Sequence, residues 1–148
     1  MPIPPVTKNG VLPEGVHACS MEEVRLRFGV FQGSDRRVGL FNKLAQFVTE
    51  LRYSGLFAAV VVDGSFVTTK SAPQDIDLIL ALPRDHNWSA DLNVASYNLV
   101  SRRAVHRRFG FDVLLAADGG EGYKGYIEFF SRVREDASMR KGMLRIEL

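Results

Sequence analysis

Cysteine is almost missing from this chain, since Cys19 is the only one among 148 residues. A lone cysteine excludes an internal disulfide framework and a zinc site built only from cysteines. Histidine is scarce as well, and the spacing of His17 and His86 is not that of zinc ligands. The first residues contain no apolar stretch of the kind that forms a secretory signal. We therefore expect a cytoplasmic protein.

Long hydrophobic runs are also missing, because no apolar stretch approaches the ~20 residues that a membrane helix needs. The longest run, at 56–62, suits a buried strand. We therefore expect no membrane partner. Charge of one sign does not dominate either: 19 Lys and Arg stand against 17 Asp and Glu, a net charge of +2. This balance permits an anionic partner without requiring one.

The remaining composition is that of a globular protein, with 46% apolar and 24% charged residues. Prolines and glycines in the first 20 residues predict an irregular arm, and the pattern Ser20-x-x-Glu23 predicts a short capped helix after it. We therefore divide the chain into an arm with its short helix, residues 1–37, packed on a core of residues 38–148. Apolar spacing predicts helices over 38–54, 91–108 and 123–134, buried strands over 57–63, 75–82 and 110–116, and an edge strand over 143–148.

The order of these elements indicates a single α/β (α+β) domain in which helices cover a small sheet. The triplet Asp75-Ile76-Asp77 opens one of its predicted strands. Because side chains alternate along a strand, Asp75 and Asp77 should project from the same face. Two adjacent carboxylates repel each other, and a bound Mg²⁺ or Mn²⁺ relieves that repulsion. The alternative is a pair of solvent-facing aspartates at a strand end.

Asp112 interrupts a further apolar strand in the same way. If that strand neighbours the one that begins at Asp75, three carboxylates converge. Such a trio can hold two metal ions about 3.5–4 Å apart for displacement at phosphorus. The alternative is a partly exposed aspartate on an edge strand.

Gly64-Ser65 supplies a complementary feature, because it follows a buried strand and precedes a predicted turn. Backbone amides of such a turn favour anions, glycine allows a phosphate to approach closely, and a serine hydroxyl can donate to it. Together with the carboxylates, this pattern predicts a site for a nucleoside triphosphate (NTP) and its metal. The alternative is an ordinary turn.

These motifs, in this order, resemble the DNA polymerase β-type nucleotidyltransferase superfamily and its small stand-alone members, the minimal nucleotidyltransferases. The chain also resembles a bacterial branch of that superfamily with three further segments. These are an LPxGxH segment at residues 12–17, a DGSFVTxK block at residues 63–70, and a late Lys141-Gly142. The resemblance covers nearly the whole chain and implies a nucleotidyltransferase-like fold.

The resemblance implies a role for each matching residue. Gly64 and Ser65 would hold the β- and γ-phosphates, with Lys70 as a further phosphate contact in place of the family's usual Arg-Gly. The metal ligands would be Asp75, Asp77 and Asp112, which are also the catalytic residues. The implied reaction transfers a nucleoside monophosphate (NMP) from an NTP, such as ATP, to a hydroxyl acceptor and requires Mg²⁺ or Mn²⁺.

The sequence leaves the acceptor open among an RNA end, a protein and a small molecule, and members of the superfamily include toxins of toxin–antitoxin pairs. Arginines at 102, 103, 107 and 108 form a basic stretch. It is either a solvated helix end or an RNA-binding patch. The alternative function is a non-catalytic module on the same fold that binds a nucleotide or a protein and has a regulatory role.

Overall fold

The computed structural model describes residues 3–133 and 135–148, and for residue 137 the backbone alone. The chain forms a mixed α+β domain in which helices cover both faces of a sheet. In chain order the elements are β1 (Gly15–Ala18), α1 (Met21–Phe28), α2 (Arg36–Ser54), β2 (Ala59–Asp63), β3 (Asp77–Leu82), α3 (Val94–Val100), α4 (Arg102–Phe109), β4 (Asp112–Ala117), α5 (Glu121–Ser131), β5 (Arg132–Val133), β6 (Asp136–Arg140) and β7 (Gly142–Glu147).

The main sheet has the strand order β1-β7-β2-β3-β4 over the described residues. Strands β1 and β7 run parallel, as do β3 and β4, whereas β2 is antiparallel to both of its neighbours. Strand β2 is buried along its whole length, which its β-branched sequence favours. The short strands β5 and β6 pair separately as a hairpin after α5.

Alternation along the strands creates two apolar layers. Val60 and Leu80 face the larger core, which contains the apolar sides of α1, α2 and α4. Val61 and Ile79 face the opposite way and pack with side chains of α5, among them Tyr126. None of the helices in the described residues combines the length and apolarity that a membrane crossing requires.

Three sequence predictions about single elements are wrong. The arm contains a strand, β1, because Gly15 has a φ of 122° and leads the chain into parallel pairing with β7. Strand β7 lies between β1 and β2 rather than at an edge. Its alternation arises because Arg145 and Met143 face α5 while Leu144 and Ile146 face the larger core.

The predicted helix over 91–108 is two helices, because the chain turns extended at Ser101, with a ψ of 114°. The Ser101 hydroxyl accepts a hydrogen bond from the Ala104 amide at 3.3 Å and thereby begins α4. The β5–β6 hairpin was not predicted. The end of the helix predicted over 123–134 includes Arg134, which lies outside the described residues.

Candidate functional site

Three aspartates form a row across neighbouring strands at one end of the sheet. Asp63 in β2 is the register partner of Asp77 in β3, and Asp77 is the register partner of Asp112 in β4. Register partners on neighbouring strands lie about 5 Å apart and point to the same face. We call these three residues the acidic row. It lies on the α5 face, because Val61 and Ile79, two residues further into β2 and β3, also face α5.

A glycine turn follows the acidic row directly at the end of β2. Gly64 has φ 98° and ψ 179°, a conformation that essentially only glycine adopts. A Cβ atom there would lie 2.8 Å from the Asp75 carbonyl oxygen and 3.1 Å from the Asp77 amide nitrogen. Ser65 then begins a single 3₁₀ turn, Ser65–Val67. The backbone of the turn therefore passes close to the start of β3, where the acidic residues lie.

Asp75 lies just before β3, which begins at Asp77, and its carboxylate is turned onto Ser65. Asp75 Oδ1 accepts hydrogen bonds from the Ser65 amide, at 3.1 Å, and from the Ser65 hydroxyl. The Ser65 Oγ in turn accepts from the amides of Gln74, at 3.0 Å, and Asp75, at 3.2 Å. These bonds fix the turn against the start of β3. They also occupy one oxygen of a predicted metal ligand.

Asp77 is the acid whose ionisation the site disfavours most clearly. Burial and repulsion by the charges of Asp75, Asp63 and Asp112 raise the pKa of Asp77 to about 6, against a smaller opposite effect of Lys141. The ordinary value for this carboxyl is 3.8. The acidic row therefore carries uncompensated negative charge at neutral pH, which favours a bound cation.

Asp63 is buried at 2% exposure and is paired with a lysine from the end of the chain. Lys141 Nζ lies 3.2 Å from Asp63 Oδ1 and donates to Oδ2 at 3.3 Å. Burial raises the pKa of Asp63, while Lys141 and a hydrogen bond with the Gly64 backbone act in the opposite direction. The Lys141 ammonium thus places a positive charge beside Asp63, the buried end of the acidic row.

The segment at residues 12–17 holds Lys141 in place. The Gly142 amide donates to the Leu12 carbonyl at 2.9 Å, and His17 Nε2 is hydrogen-bonded to the Pro13 carbonyl at 2.7 Å. A Cβ atom at position 142 would lie 1.9 Å from the Pro13 carbonyl oxygen, so only glycine fits. The LPxGxH segment and Lys141-Gly142 therefore contact each other directly.

A cleft of about 510 Å³ opens beside the acidic row. The end of α5 and the following hairpin form its other wall, where Phe129 is 66% exposed. The predicted phosphate-binding residues and two of the predicted metal ligands line this cleft together with the buried ion pair. Those lining residues are Gly64, Ser65, Lys70, Asp75, Asp77, Asp63 and Lys141.

Asp112 is the most exposed member of the acidic row. Its carboxylate lies 3.5 Å from His106 Nδ1 and its side chain is 63% exposed. It lines a second depression, of about 600 Å³, together with arginines of α4. Strand β4 does neighbour β3, the condition set for the carboxylates to converge, because Asp77 pairs with Asp112. The two carboxylates nevertheless border different depressions.

The carboxylates of the described residues do not form a complete metal-coordination geometry in this structure. Among residues 3–133 and 135–148, no group of three or more His, Cys, Asp and Glu side chains is arranged to hold a metal ion. The donor chemistry itself fits a hard divalent cation, because all the candidate ligands are carboxylate oxygens. In addition, the buried Asp63 Oδ1 accepts no hydrogen bond from the described residues, although Lys141 Nζ lies 3.2 Å from it.

Sequence reasoning missed two residues of this site, Asp63 and Lys141. Asp63 was assigned to an apolar strand, and its position directly before Gly64 was the available signal. Lys141 is 78 residues away from its partner, so only the fold brings them together. Both belong to segments that carried the family resemblance, the DGSFVTxK block and Lys141-Gly142, but neither was given a role.

Comparison with known protein families identifies a matching family model. A family model described as "Family of unknown function (DUF6932)" matches residues 4–147. The chain belongs to this family. No curated protein and no solved structure matches the chain. The match spans both the N-terminal segment and the strand that it contacts, β7.

Proposed function

We propose that this protein is a metal-dependent nucleotidyltransferase that moves an NMP from an NTP to a hydroxyl acceptor. One observation carries the proposal: the register pairing of Asp77 with Asp112, next to a Gly64-Ser65 turn that packs against the start of β3. This combination provides carboxylates for a metal and backbone amides for a phosphate within one region. It is also the arrangement that the resemblance to the polymerase β-type nucleotidyltransferases implies.

Each residue of the site has a role in this proposal. Asp75, Asp77 and Asp112 would hold Mg²⁺ or Mn²⁺, which would neutralise the triphosphate and polarise its α-phosphate. The Gly64-Ser65 turn and Lys70 would contact the β- and γ-phosphates. Asp75 would have to release its hydrogen bonds to Ser65, which frees the Ser65 hydroxyl and amide for phosphate at the same time. Substrate and metal binding are therefore coupled through one pair of residues.

The reaction balances without a further reactant. The acceptor oxygen forms a bond to the α-phosphorus, and the bond from that phosphorus to the bridging oxygen of the β-phosphate breaks. Pyrophosphate leaves, and the hydroxyl proton would pass to the Asp112 carboxylate. Positioning and charge neutralisation supply the catalysis, as is usual for phosphoryl and nucleotidyl transfer.

The test uses NTPs labelled at the α-phosphate and offered with Mg²⁺ or Mn²⁺ to the protein and a cell extract. We expect label to appear on an acceptor with the wild-type chain and to fall at least 100-fold with Asp77→Asn or Asp112→Asn, since each removes a ligand. Asp91→Asn, an exposed aspartate outside the site, is the matched control and should retain full transfer. Absence of both transfer and metal-dependent NTP binding would refute the proposal.

A second candidate is a non-catalytic nucleotide- or protein-binding module with a regulatory role. The hydrogen bonds between Asp75 and Ser65 favour it, because they occupy both the predicted ligand and the predicted phosphate contact. Calorimetry with ATP separates the two functions. ATP binding that needs no divalent metal and is unchanged in Asp77→Asn would favour the module. The proposal includes a cytoplasmic location and a toxin–antitoxin setting.

A further inference from the structure

The second depression, beside Asp112, is lined by three arginines that have no ion-pair partner among the described residues. Arg102, Arg103 and Arg107 of α4 line it and are exposed. None of the three forms an ion pair or a side-chain hydrogen bond within residues 3–133 and 135–148. Arg108 of the same helix, by contrast, pairs with Glu50 and lies over the Phe109 ring.

The position of two of these arginines argues against a role in helix stability. Because the chain breaks at Ser101, Arg102 and Arg103 begin α4, and the first turn of this helix contains no acidic residue. Cations at a helix start oppose the helix dipole and cost about 0.3–1 kcal/mol each. One interpretation of the basic stretch in the sequence was a solvated helix end, and this explains Arg107, which lies in the last turn of α4. It does not explain Arg102 and Arg103.

The arrangement fits a chain of phosphates. An arginine fork matches the geometry of a phosphate oxygen pair. Arg103 and Arg107 are separated by about 6 Å along the helix axis, from a rise of about 1.5 Å per residue. Forks spread along one helix suit successive phosphates of a strand better than one phosphate monoester. Asp112 and its neighbour His106 border the same depression.

We propose that Arg102, Arg103 and Arg107 bind the phosphate backbone of a single-stranded nucleic acid and direct its terminal hydroxyl to Asp112. We call these three residues the arginine surface. The binding surface stands by itself, whereas the role of the strand as acceptor rests on the proposed function. A strand held there reaches Asp112 from a depression that is separate from the proposed triphosphate cleft.

The test measures binding of fluorescent ribo- and deoxyribo-oligonucleotides of about 12 nucleotides, without NTP, over a series of salt concentrations. Replacing the three arginines by alanine should weaken binding of the strand. The logarithm of the association constant should also depend less steeply on the logarithm of the salt concentration, with a slope smaller in magnitude by about 2, since each phosphate contact in single strands contributes about 0.7. The matched control replaces Arg25, Arg52 and Lys124, exposed cations elsewhere, and should leave affinity and slope unchanged. Arginine-dependent binding that prefers either the ribo- or the deoxyribo-oligonucleotide supports the arginine surface and identifies the strand as RNA or DNA.

Three results would overturn the proposal. The alanine variant could keep the wild-type affinity and slope, or the control could lose as much as the variant, which would assign binding to net charge alone. Binding to vesicles with anionic lipid but not to oligonucleotides would assign the surface to a membrane. Arg103→Glu, a single change on an exposed position, repeats the test if the triple variant unfolds.

Failure of this proposal and failure of the proposed function give different results. The oligonucleotide assay contains no NTP, so its result does not depend on NMP transfer. Arginine-dependent binding without any NMP transfer would keep the surface and reject the enzyme. Transfer to a protein or small molecule, with no arginine-dependent oligonucleotide binding, would keep the enzyme and reject the surface.

Discussion

Asp77 connects the charge of the site to the stability of the fold. Its pKa of about 6 lies above the ordinary 3.8, so the folded state holds this proton more tightly than the unfolded chain does. The stability that protonated Asp77 contributes is therefore fully present below about pH 4 and is lost as the pH rises through 6. A site that destabilises its own fold at neutral pH is typical of a functional site.

We expect Asp77→Asn to raise the free energy of unfolding by about 1–2 kcal/mol near pH 7.5, because it removes the buried repulsion and water partly screens this half-buried carboxyl. The gain should shrink towards zero near pH 4, where Asp77 is already neutral. Urea unfolding at both pH values measures the difference, with Asp91→Asn as the control. A gain that is equal at both pH values would contradict the assigned pKa shift.

Arg37 is a buried cation that organises the turn from within the larger core. It is 1% exposed, and its guanidinium donates to the carbonyl oxygens of Phe66 at 2.7 Å, Thr68 at 2.6 Å and Lys70. A further bond reaches the Phe28 carbonyl at 3.3 Å. One side chain of α2 therefore satisfies alternate carbonyls of the segment that follows Ser65. Burial lowers the pKa of Arg37.

Arg37→Met should lower the free energy of unfolding by about 3 kcal/mol, since it leaves several buried carbonyls without a charged donor. Arg36→Met is the matched control. Arg36 is exposed and donates to one carbonyl, that of Pro73, at 2.8 Å, so its loss should cost less than about 1 kcal/mol. Equal costs for the two variants would mean that Arg37 does not organise the segment.

The turn between β2 and β3 depends on one glycine conformation. Gly64→Ala would place a Cβ against the backbone of Asp75 and impose a φ that alanine avoids. We expect a loss of about 2 kcal/mol or more in stability and a loss of metal-dependent NTP binding. Calorimetry and thermal unfolding measure the two effects.

Gly39→Ala in α2 serves as the control for this variant. A Cβ at position 39 meets no atom within 4 Å, and the backbone there is helical, so alanine should stabilise the protein by up to about 1 kcal/mol. If Gly64→Ala behaved like Gly39→Ala and kept NTP binding, the turn would have no special role.

The elements that the sequence predicted best are those that local physics determines. The helix predicted over 38–54 is α2, because apolar side chains recur at helical spacing and Gly55 ends the helix with a positive φ. The Ser20-x-x-Glu23 capping box at α1 is also confirmed. The sequence stated the adjacency of β3 and β4 only as a condition for the carboxylates to converge, and the pairing of these strands meets that condition.

Two of the features that were missed depend on distant partners. Whether the residues after Gly15 extend into a strand depends on β7, which lies more than 100 residues later. The pairing of Lys141 with Asp63 likewise depends on a partner that is distant in the sequence. Contacts remote in sequence leave no local periodicity to read.

The break at Ser101 was missed because the apolar positions on both sides of it keep a helical spacing. A serine at this position can either lie within a helix or begin one with its hydroxyl.

The placement of β7 has a consequence for how the protein is made. This strand joins β1 to β2, yet it follows every other element in the chain order. While a ribosome is still translating residues 142–147, β2 has an open hydrogen-bonding edge and the buried Asp63 has not met Lys141. The nascent chain must therefore keep an apolar strand edge from aggregating until β7 emerges.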